Sequence, residues 1–129
     1  MSYDPTLLYE RISLSLQRNP SLSLEELSRE LRVSRRTIQN TVIAFTRKKF
    51  RELREEFLLA RFQSALVSEP AAAIKELSSE IGYRSPRSFA RAIRRACGVS
   101  PEQLRSLIAG ELVGSKSQRL AREGANDLL

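Results

Sequence analysis

Six side chains in this chain are suited to recognition: Arg36, Gln39 and Asn40 in one segment, and Arg87, Ser88 and Arg91 in another. Guanidinium and carboxamide groups are planar and two-pronged, a shape that pairs bidentately with the edge of a guanine or an adenine. A second set flanks them. Ser34, Arg35, Lys48 and Lys49 lie around the first trio, and Arg84, Ser85, Arg94 and Arg95 around the second. Cations and hydroxyls of this kind suit phosphate oxygens, where they fix register and add salt-dependent affinity without reading sequence. For Ser34 and Ser85 the first task is to cap helices, and phosphate contact is added to it.

Bond-making chemistry is poorly provided. The chain has no histidine and a single cysteine, Cys97. That leaves no nucleophile with a partner base, no internal disulfide, and only carboxylates for a zinc site. Between Ile93 and Val99, Cys97 is expected to be buried in helix-end packing. No cofactor and no metal are expected.

Helices must position these groups. Asp4 can cap a helix that opens on Pro5 and repeats Leu8, Ile12 and Leu16, ending near Arg18 before Asn19-Pro20. Ser23 and Glu26 have capping-box spacing ahead of Leu24, Leu27 and Leu31, in a short helix that ends near Arg32. Ser34 caps a third helix, with Ile38, Val42 and Phe45 facing inward and Arg35, Arg36, Gln39 and Asn40 outward. A longer helix over Phe50 to Val67 keeps Leu53, Phe57, Ala60 and Leu66 in helical phase. Ile74, Leu77 and Ile81 mark a fifth helix, and Gly82 supplies its turn. Ser85-Pro86 opens a sixth with Phe89 and Ile93 inward, stopped by Gly98, and Ser100-Pro101-Glu102 starts a last one through Leu104 and Ile108. From Gly110 the leucines are too sparse to define a packed face, so a mobile tail is expected, with room for a short helix around Gln118 to Arg122.

The pattern occurs twice. Leu27-Ser28, Glu30 and Leu31 recur as Leu77-Ser78, Glu80 and Ile81. With one extra turn residue, Ser34, Arg36, Thr37, Ile38 and Val42 match Ser85, Arg87, Ser88, Phe89 and Ile93. No Asp or Glu occurs from Arg35 to Arg51 or from Tyr83 to Val99. The whole chain carries 22 Lys and Arg against 15 Asp and Glu, a net charge of +7 that favours a polyanionic partner, nucleic acid before membrane. With 41% hydrophobic residues the chain can bury a modest core, and no apolar run approaches the ~20 residues of a membrane span. The start lacks the basic and apolar regions of a signal peptide, so the expected place is the cytoplasm, on the nucleoid.

The expected fold is therefore all-α: seven helices in two homeodomain-like helix-turn-helix subdomains in tandem. These span 1–49 and 69–109, with a linker helix over 50–68 and a tail over 110–129. A helix-turn-helix holds its second helix with the N-terminal half protruding, ready for a major groove. A linker of ~18 residues at ~1.5 Å each spans ~27 Å, which with the helix offsets suits reading helices one DNA turn, ~34 Å, apart.

The stretch IKELSSEIGYRSPRSFARAIRRACGVSPEQLR resembles the second-unit signature of the AraC/XylS-type bacterial transcription regulators, with its glycine-aromatic pair, serine, inward phenylalanine, arginine and closing Gly-x-Ser-Pro. SLEELSRELRVSRRTIQ and FRELREEFLLAR are similar to the family's first unit and linker, so the resemblance covers about Pro5 to Ile108. It implies two reading helices in adjacent major-groove segments, the six base-reading positions named above, and activation through RNA polymerase. The linker geometry adds that one chain can occupy double-stranded DNA as a monomer, unless a domain outside this sequence dimerises it. Arg32 and Arg47 stand where the family has turn glycines, and Lys49 where it has an N-cap serine. Strained turns, or third and fourth helices running closer to continuous, are the expected consequences. Leu104 replaces the usual aromatic residue of the last helix. The rival reading is a helical protein-interaction module such as an anti-activator, which leaves the two matched basic faces unexplained.

Overall fold

A computed structural model describes residues 4–110. Six helices run α1 (Pro5–Arg18), α2 (Leu24–Leu31), α3 (Arg35–Thr46), α4 (Phe50–Ser68), α5 (Ile74–Ile81) and α6 (Pro86–Cys97). A seventh, α7, covers 101–110 and reaches the end of the described residues, among which there is no strand. The fold is all-α, as the periodicity predicts. The tail beyond 110 and the helix considered near Gln118 lie outside the described residues.

Local chemistry sets the starts of these helices. The Asp4 carboxylate accepts the Thr6 N–H at 2.9 Å, and Pro5 follows at the first helical position. Ser23 and Glu26 close a full capping box, each side chain accepting the other's backbone N–H. The Ser23 N–H, then the Ser23 hydroxyl, hold the Glu26 carboxyl below its ordinary value. The carboxylate half of the box therefore stabilises fully at neutral pH and weakens as pH falls through that depressed value, while the Glu26 N–H bond to the Ser23 hydroxyl does not titrate.

The repeat is structural as well as sequential. Helices α2 and α5 each have eight residues, and α3 and α6 each have twelve. The turns share a bond: Val33 N–H donates to the Ser28 carbonyl, and Tyr83 N–H to that of Ser78. The helix ends differ, because lobe two leaves α5 and α6 through Gly82 (φ 113°) and Gly98 (φ 82°), where lobe one uses Arg32 (φ 57°) and Arg47 (φ 60°). Helices α3 and α4 are thus separate, and of the two consequences foreseen for these arginines strain is the one realised. A side chain in the left-handed region costs about 1–2 kcal/mol, whereas glycine gives back roughly 0.5–1 kcal/mol in the unfolded chain. Arg32→Gly and Arg47→Gly should each raise stability by about 0.5–1 kcal/mol, seen as a higher urea midpoint at unchanged slope.

Two cores result. Leu8, Ile12, Leu16, Leu27, Ile38 and Val42 close the first with Phe50 and Leu53 of α4. Leu77, Ile81, Phe89, Ala92, Ile93 and Leu104 close the second with Leu58, Phe62 and Leu66 of α4. Helix α4 serves both by turning: from Leu53 to Leu58 is five residues, about 140° around the axis. Ala60, expected inside, is exposed for that reason, and Leu58 and Phe62 take the core instead. Phe45 is also exposed (44%) and stacks on Tyr9 of α1, with ring centroids 4.8 Å apart.

The lobes also touch directly. Ser21, in the α1–α2 loop, donates its hydroxyl to the Gly82 carbonyl at 3.0 Å. Gly82 is required by its φ of 113°, and a Cβ there would also lie 2.5 Å from the Asn19 side-chain oxygen, which would have to shift. From α4, Arg54 donates to the Leu22 carbonyl and Arg61 to that of Gln17. At the other end, Arg105 of α7 donates to the Ala72 carbonyl and fastens the last helix to the second lobe.

Candidate nucleic-acid interface

The N-terminal half of α3 is held by Ser34, whose hydroxyl accepts the Thr37 N–H at 3.1 Å and bonds the Thr37 hydroxyl at 2.8 Å. With Ile38 and Val42 fully buried, the opposite side is fixed outward, and Arg35, Arg36, Gln39 and Asn40 are all exposed. Helix α6 repeats the arrangement. Ser85 caps it by accepting the Ser88 N–H at 3.1 Å, Phe89 and Ile93 are buried, and Arg87, Arg91, Arg94 and Arg95 are exposed. Arg84, the extra turn residue, is exposed beside the cap.

Among the described residues, the four ion pairs are Arg18–Glu30, Arg29–Glu25, Lys48–Glu56 and Arg51–Glu55. None involves an arginine of the α3 or α6 outer faces. Both faces are therefore uncompensated positive surfaces with their donors open to water.

Three predicted positions are half-buried where the rest are exposed: Ser85 at its cap, Ser88 and Lys48. Ser88 is half-buried, and its hydroxyl donates to the Ser85 carbonyl at 3.0 Å, as part of the same helix start. Its match in lobe one, Thr37, is likewise tied to its cap serine. Lys48 is half-buried and paired with Glu56 of α4. Lys49 is exposed at the α4 N-cap and makes no side-chain cap bond, so the first N–H groups of that helix have no such partner.

Beside α3 lies a groove of about 530 Å³ in which Arg36, Gln39 and Asn40 meet Lys49. Arg51 and the apolar Leu24, Ile43 and Phe50 complete its lining, and no carboxylate takes part. Arg51 and Ile43 escaped the reading of the sequence. Ile43 could have been found, since it stands seven residues after Arg36 and three after Asn40, on one helix face. Behind the α6 face, Tyr83 packs edge-on against Phe89 at 5.4 Å. Burial pushes its phenol up, against the opposing pull of Arg54 and Arg95.

Cys97 is exposed, contrary to the expected burial, because it is the last residue of α6. Its thiol lies along the helix end, 3.3 Å from the Ile93 carbonyl. No group of three potential metal ligands occurs among the described residues, and no helix there is long and apolar enough to cross a membrane.

Comparisons with known proteins agree with this geometry. The profile of a helix-turn-helix domain family matches residues 27–106, more than half of the chain, from α2 into α7. The C-terminal domain of AraT, a response regulator from Geobacillus stearothermophilus, superposes with a TM-score of 0.64 at 25% identity, over 76% of this chain and 83% of that one. A transcriptional regulator with an AraC-type DNA-binding domain from Chromobacterium violaceum shares the fold, with a TM-score of 0.59 at 21% identity, over 79% and 91% of the two chains. No curated protein matches the chain in sequence. Two capped, outward-facing helices on a shared strut, matched by profile and by fold, place this chain in the AraC/XylS-type helix-turn-helix family of DNA-binding transcription regulators.

Proposed function

We propose that this chain recognises a specific double-stranded DNA site by inserting α3 and α6 into successive major grooves, and that it regulates transcription from that site. One observation carries the reading: both helices present exposed arginines, with no acidic partner among the described residues, on faces fixed outward by buried residues behind them. Arg36, Gln39, Asn40, Arg87 and Arg91 read base edges, and Ser88 acts with Ser85 at the start of α6. Arg35, Lys49, Arg84, Arg94 and Arg95 hold phosphates, joined by Ser34 and Ser85 at the helix starts. Lys48 joins them only on leaving Glu56. Residues 1–49 and 69–109 are then the two reading units and 50–68 the strut between them.

The site is asymmetric, because the two faces carry different residues, and a single chain occupies it. Activation through RNA polymerase, in the cytoplasm and on the nucleoid, is the part of the proposal supported by family membership alone. Selection of bound duplexes from a random library tests the reading. Two unlike half-sites about one helical turn apart are expected, with affinity falling steeply in salt. About five neutralised phosphates give a slope near −4.5 in log affinity against log salt, or several hundred-fold between about 50 and 200 mM. Weak, salt-insensitive binding without sequence preference would transfer the protein to the interaction-module reading.

A further inference from the structure

Ile43 is half exposed, at 50%, on the face of α3 that carries the predicted base readers. Seven residues after Arg36 it lies about 20° short of two full turns, and so in line with it, about 10.5 Å further along the axis. The groove it lines also holds the apolar Leu24 and Phe50, Arg36, which is unpaired among the described residues, and Arg51, which is paired with Glu55. The matched position on α6 is Arg94, exposed and charged, so lobe one has a branched hydrocarbon where lobe two has a cation.

A half-exposed apolar side chain in line with an unpaired arginine fits a partner that is anionic outside and presents a methyl group within. The thymine C5 methyl in the major groove is such a group, and it is the one apolar feature by which that groove distinguishes base pairs. We propose that Ile43 is a specificity-determining residue that selects thymine through its 5-methyl group, about three base pairs from the base read by Arg36 at 3.4 Å per step. This rests on the proposed insertion of α3 into the major groove, and it adds a reader whose chemistry is apolar.

The test replaces the thymines of the selected first half-site one at a time with deoxyuridine, which lacks only the methyl, and measures affinity for the wild type, Ile43→Ala and Ile43→Val. One thymine should respond, with wild-type affinity falling about fourfold on loss of one buried methyl. Ile43→Ala should bind the thymine and deoxyuridine duplexes alike, and Ile43→Val should keep most of the difference. Because Ile43 is half exposed, the thermal midpoints should stay close together. Selected sites without thymine at that distance, or a methyl effect that survives Ile43→Ala, overturn the assignment and leave duplex recognition standing. Absence of any preferred duplex removes both.

Discussion

The double variant Arg36→Ala/Arg91→Ala is expected to lose about 2–6 kcal/mol of affinity for its selected duplex, as the sum of two losses of about 1–3 kcal/mol each. Summation is justified because the two arginines belong to different lobes and share no partner. Folding should be almost untouched, since both are exposed and truncation leaves no buried group unsatisfied. Anisotropy titrations on the selected duplex and on a scrambled one separate the possible roles. A loss confined to the selected sequence identifies base readers, and each single variant should relax preference in one half-site only. Equal losses on both duplexes would make the two arginines phosphate contacts, with the salt slope falling by about one for each.

The largest effect on stability is expected at Phe62. Its ring is fully buried and meets Phe89 edge-on at 5.0 Å with planes 89° apart, joining the strut to the reading helix of lobe two. Phe62→Ala removes a side chain whose loss costs about 3–5 kcal/mol in a core, together with an aromatic pair worth about 0.5–1.5 kcal/mol beyond its area. For a chain of this size that is a large share of the net stability, typically about 5–15 kcal/mol for a domain. Amide exchange should quicken in α5 and α6 before α1 and α2, because Phe62 belongs to the second core. An unchanged urea midpoint would show that α6 does not depend on this ring.

Elements whose signals are local were legible in the sequence. The caps at Asp4, Ser23, Ser34 and Ser85 lie within three residues of the groups they bond, and each helix starts at the residue the cap dictates. The repeat was legible for the same reason, as spacing along one chain. What failed depended on partners far away in sequence. The two-sided burial of α4 cannot be read from one helical phase, because each half answers to a different lobe. Phe45 keeps step with Ile38 and Val42, yet it stands a turn beyond the core, where Tyr9 of α1 meets it. Lys48 looked free until α4 brought Glu56 alongside. The reading faces were legible in composition and phase together. The Ser88 hydroxyl has a local partner as well, the Ser85 carbonyl three residues back, which competes with any outside one.

Gly82 gives the molecule a fulcrum. There the Ser21 hydroxyl reaches the Gly82 carbonyl across the lobes, a contact that opposes pivoting of the two halves about their common rod. In the proposed reading such a body works as a pair of callipers with the jaws set. One inserted base pair between the half-sites would swing the second out of line by roughly 35°, at 10–10.5 base pairs per turn. A single wrong letter loses one contact, whereas a wrong interval sets one entire jaw against the backbone, so spacing should constrain the binding site more tightly than any one base within it.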